Sequence, residues 1–348
     1  MSATRSPFRI GDVSVPAGSR ATVDLPVSLL ANHTPITLPV RVIHGRRAGP
    51  TLFVSGVIHG DEIIGVEIIR RLCRTPPLRR LRGTLLCIPI VNVFGFIGHS
   101  RYLPDRRDLN RSFPGSIKGS LAGQLAHLFS SEVLSRSDFG IDLHSAAINR
   151  VNLPQLRIDF EHGRSLELAK AFGAPVIVDA PDRPGSLRSA GKQAGIEVMT
   201  FEGGEALRFD ELAVRSGVRG ILRVMKVVGM VPPRSVADAH TQPALSHSSA
   251  WARAPESGIL RTFKTTGASV TSDELLGVIA NPYEDVETEV RANAPGLIIG
   301  RTNLPVVNQG DALFHIAQVP SAVGAERKVD AIETELGGDA LFDDDEII

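Results

Sequence analysis

The chain has 348 residues, 43% of them hydrophobic, which is enough for one large core and predicts a second, smaller domain. Lys and Arg total 38, as do Asp and Glu, so no net charge favours nucleic acid or an anionic membrane, and we expect a small-molecule partner. The two cysteines lack metal-clip or disulfide spacing, and there is neither a signal-like segment nor a run of about 18 apolar residues, which predicts a cytoplasmic protein that does not span a membrane.

Short apolar runs alternate with amphipathic stretches along residues 38–228, a pattern typical of an α/β fold. Several strand runs are apolar throughout, as strands covered on both faces are. The predicted strands are residues 39–43, 52–58, 84–91, 140–144, 175–178 and 197–201. The predicted helices, with apolar residues at three- and four-residue spacing, are residues 62–72, 121–134, 164–171 and 211–227. We therefore predict a mixed, largely parallel sheet with helices on both faces.

The C-terminal third has a different composition. A Val-Pro-Pro-Arg segment followed by a stretch rich in Ser, Ala and His predicts a linker within residues 235–250. This linker would separate a catalytic domain of residues 1–240, with an N-terminal β extension, from a small all-β domain of residues 251–320, where glycines interrupt short β-prone runs. Residues 321–348 end in an acidic run, and we expect them to form a flexible, solvated tail.

The strongest motif is Ser-Gly-Val-Ile-His-Gly-Asp-Glu at residues 55–62, where an apolar strand enters a Gly-containing turn and then a helix. Across such a turn His59 and Glu62 can converge on one point, and they would supply two of the three protein ligands that a catalytic zinc needs. The alternative is that Asp61 caps the helix while His59 packs in the core.

A third ligand is available in Phe-Gly-Ile-Asp-Leu-His-Ser at residues 139–145, where His144 ends another strand-like run. Alternate residues of a strand face the same side, so Asp142 accompanies His144 and could accept the second N–H of a zinc-bound imidazole. The alternative is a buried histidine that is satisfied by its neighbouring aspartate. Two imidazoles and one carboxylate leave a fourth position open, which predicts one Zn²⁺ per chain.

A loop rich in arginine follows the first motif, at residues 101–114, and has no continuous apolar period. Loops of this kind are usually solvated. Beside a zinc site, however, Asn110 and Arg111 would supply an amide and a planar donor fork, which suit a carboxylate or a developing oxyanion.

The fourth motif is Gly-Ile-Glu-Val-Met-Thr-Phe-Glu-Gly-Gly at residues 195–204, a strand that leaves through two glycines. Glu202 would lie at the carboxyl end of this strand, where a carboxylate can take a proton from a metal-activated water and pass it to the leaving nitrogen. Glu197 is the rival, but its place at the start of the strand favours a solvated or structural role.

Together these motifs resemble the succinylglutamate desuccinylase/aspartoacylase family, which shares its catalytic core with the zinc carboxypeptidases. The resemblance covers about residues 40–230. The segments that carry it, in the family's order, are Gly56-x-x-His59-Gly-Asp-Glu62, Arg101-Tyr102, Asp108-Leu-Asn-Arg111, Asp142-Leu-His144 and residues 195–204.

The resemblance implies a zinc carboxypeptidase-like fold and a zinc-dependent deacylase, an amidohydrolase that cleaves the amide of a small N-acyl amino acid or a related carboxylate-bearing amide. It implies that His59, Glu62 and His144 bind the zinc ion. It also implies that Glu202 is the general base and acid and that Arg101 stabilises the oxyanion.

For the substrate, the resemblance implies that Asn110 and Arg111 grip a carboxylate and that Arg188 is a further binding arginine. The spacing from Arg188 to Glu202 looks longer than in aspartoacylases, and the stretch from Arg101 to Asn110 looks about two residues longer. The acyl group and the amine are therefore left open. The family's C-terminal domain can contribute a tyrosine to the pocket, and Tyr283 is the only tyrosine available there.

The β domain itself resembles the barrel-sandwich fold of biotinyl and lipoyl carriers, through Ala-Pro-Gly-Leu-Ile at residues 294–298 and Gly-Asp-Ala-Leu-Phe at residues 310–314. A carrier needs an exposed lysine on its hairpin, and residues 283–290 contain none. We therefore expect a structural, pocket-rimming or oligomerising role, and a homo-oligomer is compatible with the sequence. The alternatives to a deacylase are a zinc carboxypeptidase-type peptidase and a non-catalytic small-molecule binding protein on the same scaffold.

Overall fold

The computed structural model describes residues 5–337 of the chain. Its first strands are β1 (Phe8–Ile10), β2 (Val13–Val15), β3 (Arg20–Leu29), β4 (Pro35–His44), β5 (Arg47–Gly56), β6 (Arg82–Ile88), β7 (Phe139–His144), β8 (Arg150–Ile158), β9 (Val176–Asp179) and β10 (Glu197–Gly204). The later strands are β11 (Ala244–Ser246), β12 (Ser248–Arg253), β13 (Gly258–Thr262), β14 (Ser269–Val270), β15 (Leu275–Ala280), β16 (Glu287–Arg291), β17 (Gly296–Thr302), β18 (Val306–Val307) and β19 (Ala312–Gln318). The α-helices are α1 (Ile64–Leu72), α2 (Val93–Ile97), α3 (Leu121–Glu132), α4 (Ser165–Phe172), α5 (Leu187–Gln193), α6 (Glu211–Val227) and α7 (Ala322–Gly337). Each strand and helix predicted within residues 38–228 coincides with an observed element of the same type.

The central sheet is mixed. Its strands follow one another in the order β12, β19, β17, β8, β10, β7, β5, β6, β4, β3. The four strands β10, β7, β5 and β6 are parallel to one another, and β8 and β4 flank them in antiparallel pairing. The carboxyl ends of β5, β7 and β10 therefore meet at one edge of the sheet, which is where ligands bind in open α/β sheets.

Helices cover both faces of this sheet, and the apolar strands explain why. Along β5, Leu52 and Val54 belong to the core cluster packed under α1, α4 and α6, whereas Phe53 belongs to the cluster under α3 and α5. Phe53 meets Phe129 of α3 edge to face, with ring centroids 5.5 Å apart. This two-sided burial, together with the sheet, confirms the predicted fold class.

The C-terminal strands do not form a detached module. β17 pairs with β8 of the central sheet, and β19 and β12 extend the sheet further. A separate sheet of β16, β15, β13 and β18 packs beside them. Part of the predicted linker within residues 235–250 is also ordered, because β11 lies parallel to β9. The domain limits at residues 1–240 and 251–320 stay a prediction.

The expectation of a flexible tail from residue 321 is wrong for its first part. Residues 322–337 form α7, whose Ala325, Val329, Ile332 and Leu336 are buried. These apolar side chains recur at helical spacing, and Arg215 of α6 donates a hydrogen bond to the Leu336 carbonyl at 3.1 Å. The rest of the predicted tail, residues 338–348, lies outside the described residues. Within residues 5–337, no helix combines the length and the apolar character needed to cross a bilayer.

Candidate metal centre and pocket

A strained turn carries the first motif from β5 to α1. Val57 has φ of +58°, a left-handed conformation that costs energy for a β-branched residue and is found where a site demands it. A Cβ at Gly60 would lie 2.0 Å from the backbone of Gly95, so only glycine fits there. The turn thereby brings His59 and Glu62 inward, and both are buried.

The alternative in which Asp61 caps the helix is not what the structure shows. The N-cap residue of α1 is Ile63, and no side-chain hydrogen bond caps this helix. Asp61 Oδ1 is buried and has no hydrogen-bond partner among residues 5–337. Burial, and the nearby charge of Glu62, raise the pKa of Asp61.

Three buried side chains converge at the edge of the sheet. His59 Nδ1 lies 2.8 Å from Glu62 Oε1, and His144 Nδ1 lies 2.7 Å from Glu62 Oε2. One ligand atom from each of the three residues lies within 4.8 Å of the others. His59 Nδ1 nevertheless has no hydrogen-bond partner within the described part of the chain. A buried ring nitrogen that faces a carboxylate without a hydrogen bond fits a cation held between them, and this donor set suits zinc.

Each imidazole turns its other nitrogen to a carboxylate. His144 Nε2 lies 2.7 Å from Asp142 Oδ2, and Ser55 donates to the other oxygen of Asp142 at 2.8 Å. His59 Nε2 lies 3.1 Å from Asp108 Oδ1. Carboxylates in these positions fix the ring orientation of metal-binding histidines. The structure thus places Asp142 as expected, and it adds Asp108, whose role could not be read from the loop motif.

The imidazoles and carboxylates of this cluster shift one another's pKa. Burial opposes protonation of both imidazoles, but the facing carboxylates outweigh it and raise the pKa of His59 and that of His144. Burial also favours a neutral Glu62, yet the two imidazoles outweigh that effect and lower the pKa of Glu62. The facing carboxylates therefore favour positive charge at this point, which is the place that a divalent cation would take.

Glu202 lies next to the cluster, and Glu197 does not. Glu202 is in register with His144 on the neighbouring strand. Asn152 donates to Glu202 Oε2 at 3.0 Å, and Arg157 Nε lies 3.7 Å from Glu202 Oε1. Glu197, at the other end of β10, instead accepts hydrogen bonds from the start of α4. Of the two candidates for the general base, the geometry therefore favours Glu202.

The predicted binding residues lie around one cavity of about 640 Å³, but their side chains differ in how free they are. Arg101 donates to Glu62 and to Asp108, each at 3.0 Å. Asn110 uses its side-chain oxygen to accept from the amide of Leu187 at the start of α5.

The two remaining arginines also contrast. Arg111 is exposed, and its guanidinium bonds to the carbonyl of the preceding residue. Arg188 is largely committed to the loop at residues 180–182, because it donates to the carbonyls of Ala180 and Pro181 and pairs with Asp182 at 2.9 Å. Of these two arginines, Arg111 is therefore the freer to meet a ligand.

The C-terminal strands supply one wall of this cavity. Trp251 of β12 stacks on His315 of β19 with ring centroids 4.6 Å apart and an angle of 8°, and the Arg150 guanidinium lies 5.2 Å from the Trp251 ring. Burial, together with Arg157, lowers the pKa of His315 to about 3, so its ring is neutral at physiological pH. Tyr283, whose contact the sequence left open, is 93% exposed and does not line the cavity.

The lining is strongly basic. Among the described residues it includes the carboxylates of Glu62, Asp179 and Glu202. Its six arginines are Arg101, Arg111, Arg150, Arg157, Arg183 and Arg188. Positive charge in a concave site favours an anionic ligand. Arg150 and Arg157 belong to β8, a strand that the sequence did not indicate.

Comparisons with known proteins agree with this architecture. A family model described as the succinylglutamate desuccinylase/aspartoacylase catalytic domain matches residues 48–228. The chain is 30% identical over 306 residues to the N-alpha-acetyl-L-2,4-diaminobutyric acid deacetylase of Halomonas elongata, covering 83% of this chain and 88% of that protein.

Solved structures give the same picture. A succinylglutamate desuccinylase/aspartoacylase from Rhodobacter sphaeroides is similar with a TM-score of 0.75 and 26% identity, over 86% of this chain and 96% of that one. The product-bound ectoine utilization protein EutE from Ruegeria pomeroyi is similar with a TM-score of 0.76 and 24% identity, over 86% and 94% of the two chains. The second likeness concerns the fold alone.

Proposed function

The chain belongs to the succinylglutamate desuccinylase/aspartoacylase family, and we propose that it is a zinc-dependent deacylase that hydrolyses the amide of a small N-acyl amino acid or a related carboxylate-bearing amide. The observation that carries this proposal is the buried convergence of His59, Glu62 and His144 beside Glu202. One Zn²⁺ per chain would be held by these three side chains.

The donor set supports zinc in particular. Two imidazole nitrogens and one carboxylate are the ligands of many catalytic zinc sites, and the fourth position stays open for the reaction. A zinc ion held there supplies a Lewis acid and lowers the pKa of water. Asp108 and Asp142 would keep the two imidazoles in the tautomer that offers Nδ1 to the metal.

The residues around the cluster divide the remaining work. Asn152 holds Glu202 in place by donating a hydrogen bond to its carboxylate. Glu202 would accept a proton from the attacking water and give it to the amine that leaves. Arg101 lies beside Glu62 and would stabilise negative charge as it develops on the carbonyl oxygen. Asn110 and Arg111 would orient the substrate from the loop side, with Arg188 behind them.

The charge and the size of the cavity support a substrate class. Six arginines against three carboxylates favour a substrate that carries a carboxylate. The cavity of about 640 Å³ has the size of a small-molecule site, which favours a small N-acyl substrate over the peptide of the peptidase alternative. An N-acetylated diamino acid, the substrate named for the Halomonas elongata relative, is one candidate.

A substrate panel tests the proposal. The protein would be incubated with N-acetyl, N-succinyl and N-formyl amino acids and with short peptides, with added Zn²⁺ or with a chelator, and free amine would be measured. We expect turnover of N-acyl amino acids only when the metal is present. Equal turnover of peptides would establish the peptidase instead, and metal binding without any turnover would establish a binding protein.

A further inference from the structure

A second cavity, of about 800 Å³, lies at the opposite edge of the central sheet from the candidate metal centre. It opens where β5 and β6 begin, whereas His59 and His144 lie where β5 and β7 end. Its walls also include the short 3-10 helix Pro76–Arg80 and the end of α6. We call it the arginine cavity, because its lining includes Arg20, Arg46, Arg47, Arg79, Arg80 and Arg82.

The charge of the arginine cavity is not balanced locally. Within residues 5–337, no Asp or Glu lines it, and none of its six arginines forms an ion pair with a described carboxylate. Lys226 also lines the cavity, but it is paired with Asp238 at 2.7 Å. Because the whole chain has 38 cationic and 38 acidic residues, this concentration of one sign is local.

Two arginines of the cavity also occupy neighbouring positions on adjacent strands. Arg47 and Arg82 are paired in register on the neighbouring strands β5 and β6, so that like charges occupy adjacent positions. Both side chains are exposed, and an anion bound between them would offset the repulsion of their charges. The cavity therefore has the electrostatic character of an anion site.

The lining also restricts what the anion can be. A concave site of this size suits a small molecule. No Phe, Tyr or Trp of the described residues lines it, and the ring of His44 is buried with its nitrogens bonded to Thr84 and Ser6. A nucleobase would thus find no aromatic surface on which to stack, which disfavours nucleotides and single-stranded nucleic acid. Several guanidinium forks, by contrast, match the oxygens of phosphate groups.

We propose that the arginine cavity binds a small, multiply charged phosphate anion without an aromatic ring, of the pyrophosphate or tripolyphosphate class. This site is separate from the metal centre, since the two cavities share no lining residue.

Calorimetric titration of the intact, zinc-loaded protein with sodium tripolyphosphate tests the proposal. The variant Arg79→Gln/Arg80→Gln removes two exposed charges at the end of the 3-10 helix. The matched control, Arg9→Gln/Arg327→Gln, removes two exposed charges outside both cavities. We expect one saturable site per chain in the parent, about tenfold or weaker affinity in the cavity variant, since loss of one charge-assisted contact suffices for that change, and no change in the control.

Two results would overturn the proposal. Binding that does not saturate at physiological salt, or that weakens equally in the control variant, would show only diffuse attraction between the ligand and surface charge. Tripolyphosphate also chelates zinc, so zinc content would be measured after each titration. A signal that is the same in all three proteins and follows zinc loss would show chelation rather than binding to the cavity.

Discussion

Under the proposed function, Asp108→Asn should weaken zinc binding while leaving the fold and the three proposed ligands unchanged. Asparagine keeps a side-chain oxygen that can accept a hydrogen bond from the backbone amide of Asn110, as Asp108 does at 2.8 Å. It removes the negative charge that faces His59 Nε2 and places an amide near Arg101. Loss of a carboxylate behind a zinc-binding histidine typically costs about 10- to 100-fold in metal affinity.

The structure indicates where in that range each aspartate should fall. Asp108 lies 3.1 Å from His59 Nε2, with its side chain 16% exposed, so the bond is long and water can replace part of it. Asp142 lies 2.7 Å from His144 Nε2 with its side chain 2% exposed. We therefore expect about tenfold weaker zinc binding for Asp108→Asn and about 100-fold for Asp142→Asn, or about 1.4 and 2.8 kcal/mol.

Competition against a chromogenic zinc chelator at neutral pH would measure these affinities, with circular dichroism to check the fold. Asp105→Asn is the matched control, because it makes the same charge change in the same loop but its carboxylate accepts from the amide of Ala122. Unchanged zinc affinity in Asp108→Asn and Asp142→Asn would refute the proposed arrangement of the metal centre. So would a loss of zinc affinity in Asp105→Asn equal to theirs.

Four further predictions follow from the described contacts. Glu202→Gln should retain zinc and lower kcat by about 10²- to 10⁴-fold, and an inactive Glu197→Gln protein with near-normal Glu202→Gln turnover would reassign the role. Arg111→Lys should raise KM for carboxylate-bearing amides more than for their amidated analogues, because a point charge cannot reproduce a fork; equal KM changes for both would contradict the proposed contact. Glu67→Gln should lower the free energy of unfolding by about 0.5–1 kcal/mol at pH 7, because hydrogen bonds from two arginines lower the pKa of Glu67 and both pairs lie near solvent. That contribution to stability is present above the ordinary carboxyl pKa and is lost as the pH falls through the lowered pKa of folded Glu67. The free energies of unfolding of parent and variant, measured by denaturation, should therefore become equal in acid. Intact-mass measurement should show no lipoyl or biotinyl group, and an added mass on Lys264 would contradict this.

The grouping of His59, Glu62 and His144 could be predicted because its signals are local. Residues 55–62 combine an apolar strand, a glycine turn and two ligand types within one short segment. Asp142 precedes His144 at strand spacing, so its direction followed from the same run. The sequence could not show that Asp108 faces His59, since that contact joins two segments through a loop without periodicity.

The missed elements have identifiable physical causes. β8 contains Pro154 and turns Asn152 and Arg157 toward the cavity, so it lacks the apolar run by which the other central strands were found. α7 is different, because Val329, Ile332 and Leu336 do recur at helical spacing. That signal was readable, and the acidic run after it led to the wrong expectation of a flexible tail.

The substrate end of the cavity depends on tertiary pairing rather than on local motifs. Trp251 and His315 reach the cavity only because β17 joins β8, with Gly300 in register with Asn152. A sequence pattern can predict that such strands exist, but it does not show which strands lie beside them. For this reason Tyr283 could be considered for the wall of the cavity that Trp251 and His315 form. The reaction and the substrate preference therefore rest on different kinds of information. The proposed metal ligands and Glu202 lie at the ends of neighbouring strands, whereas the walls that set the size and charge of the cavity come from strands that are distant along the chain.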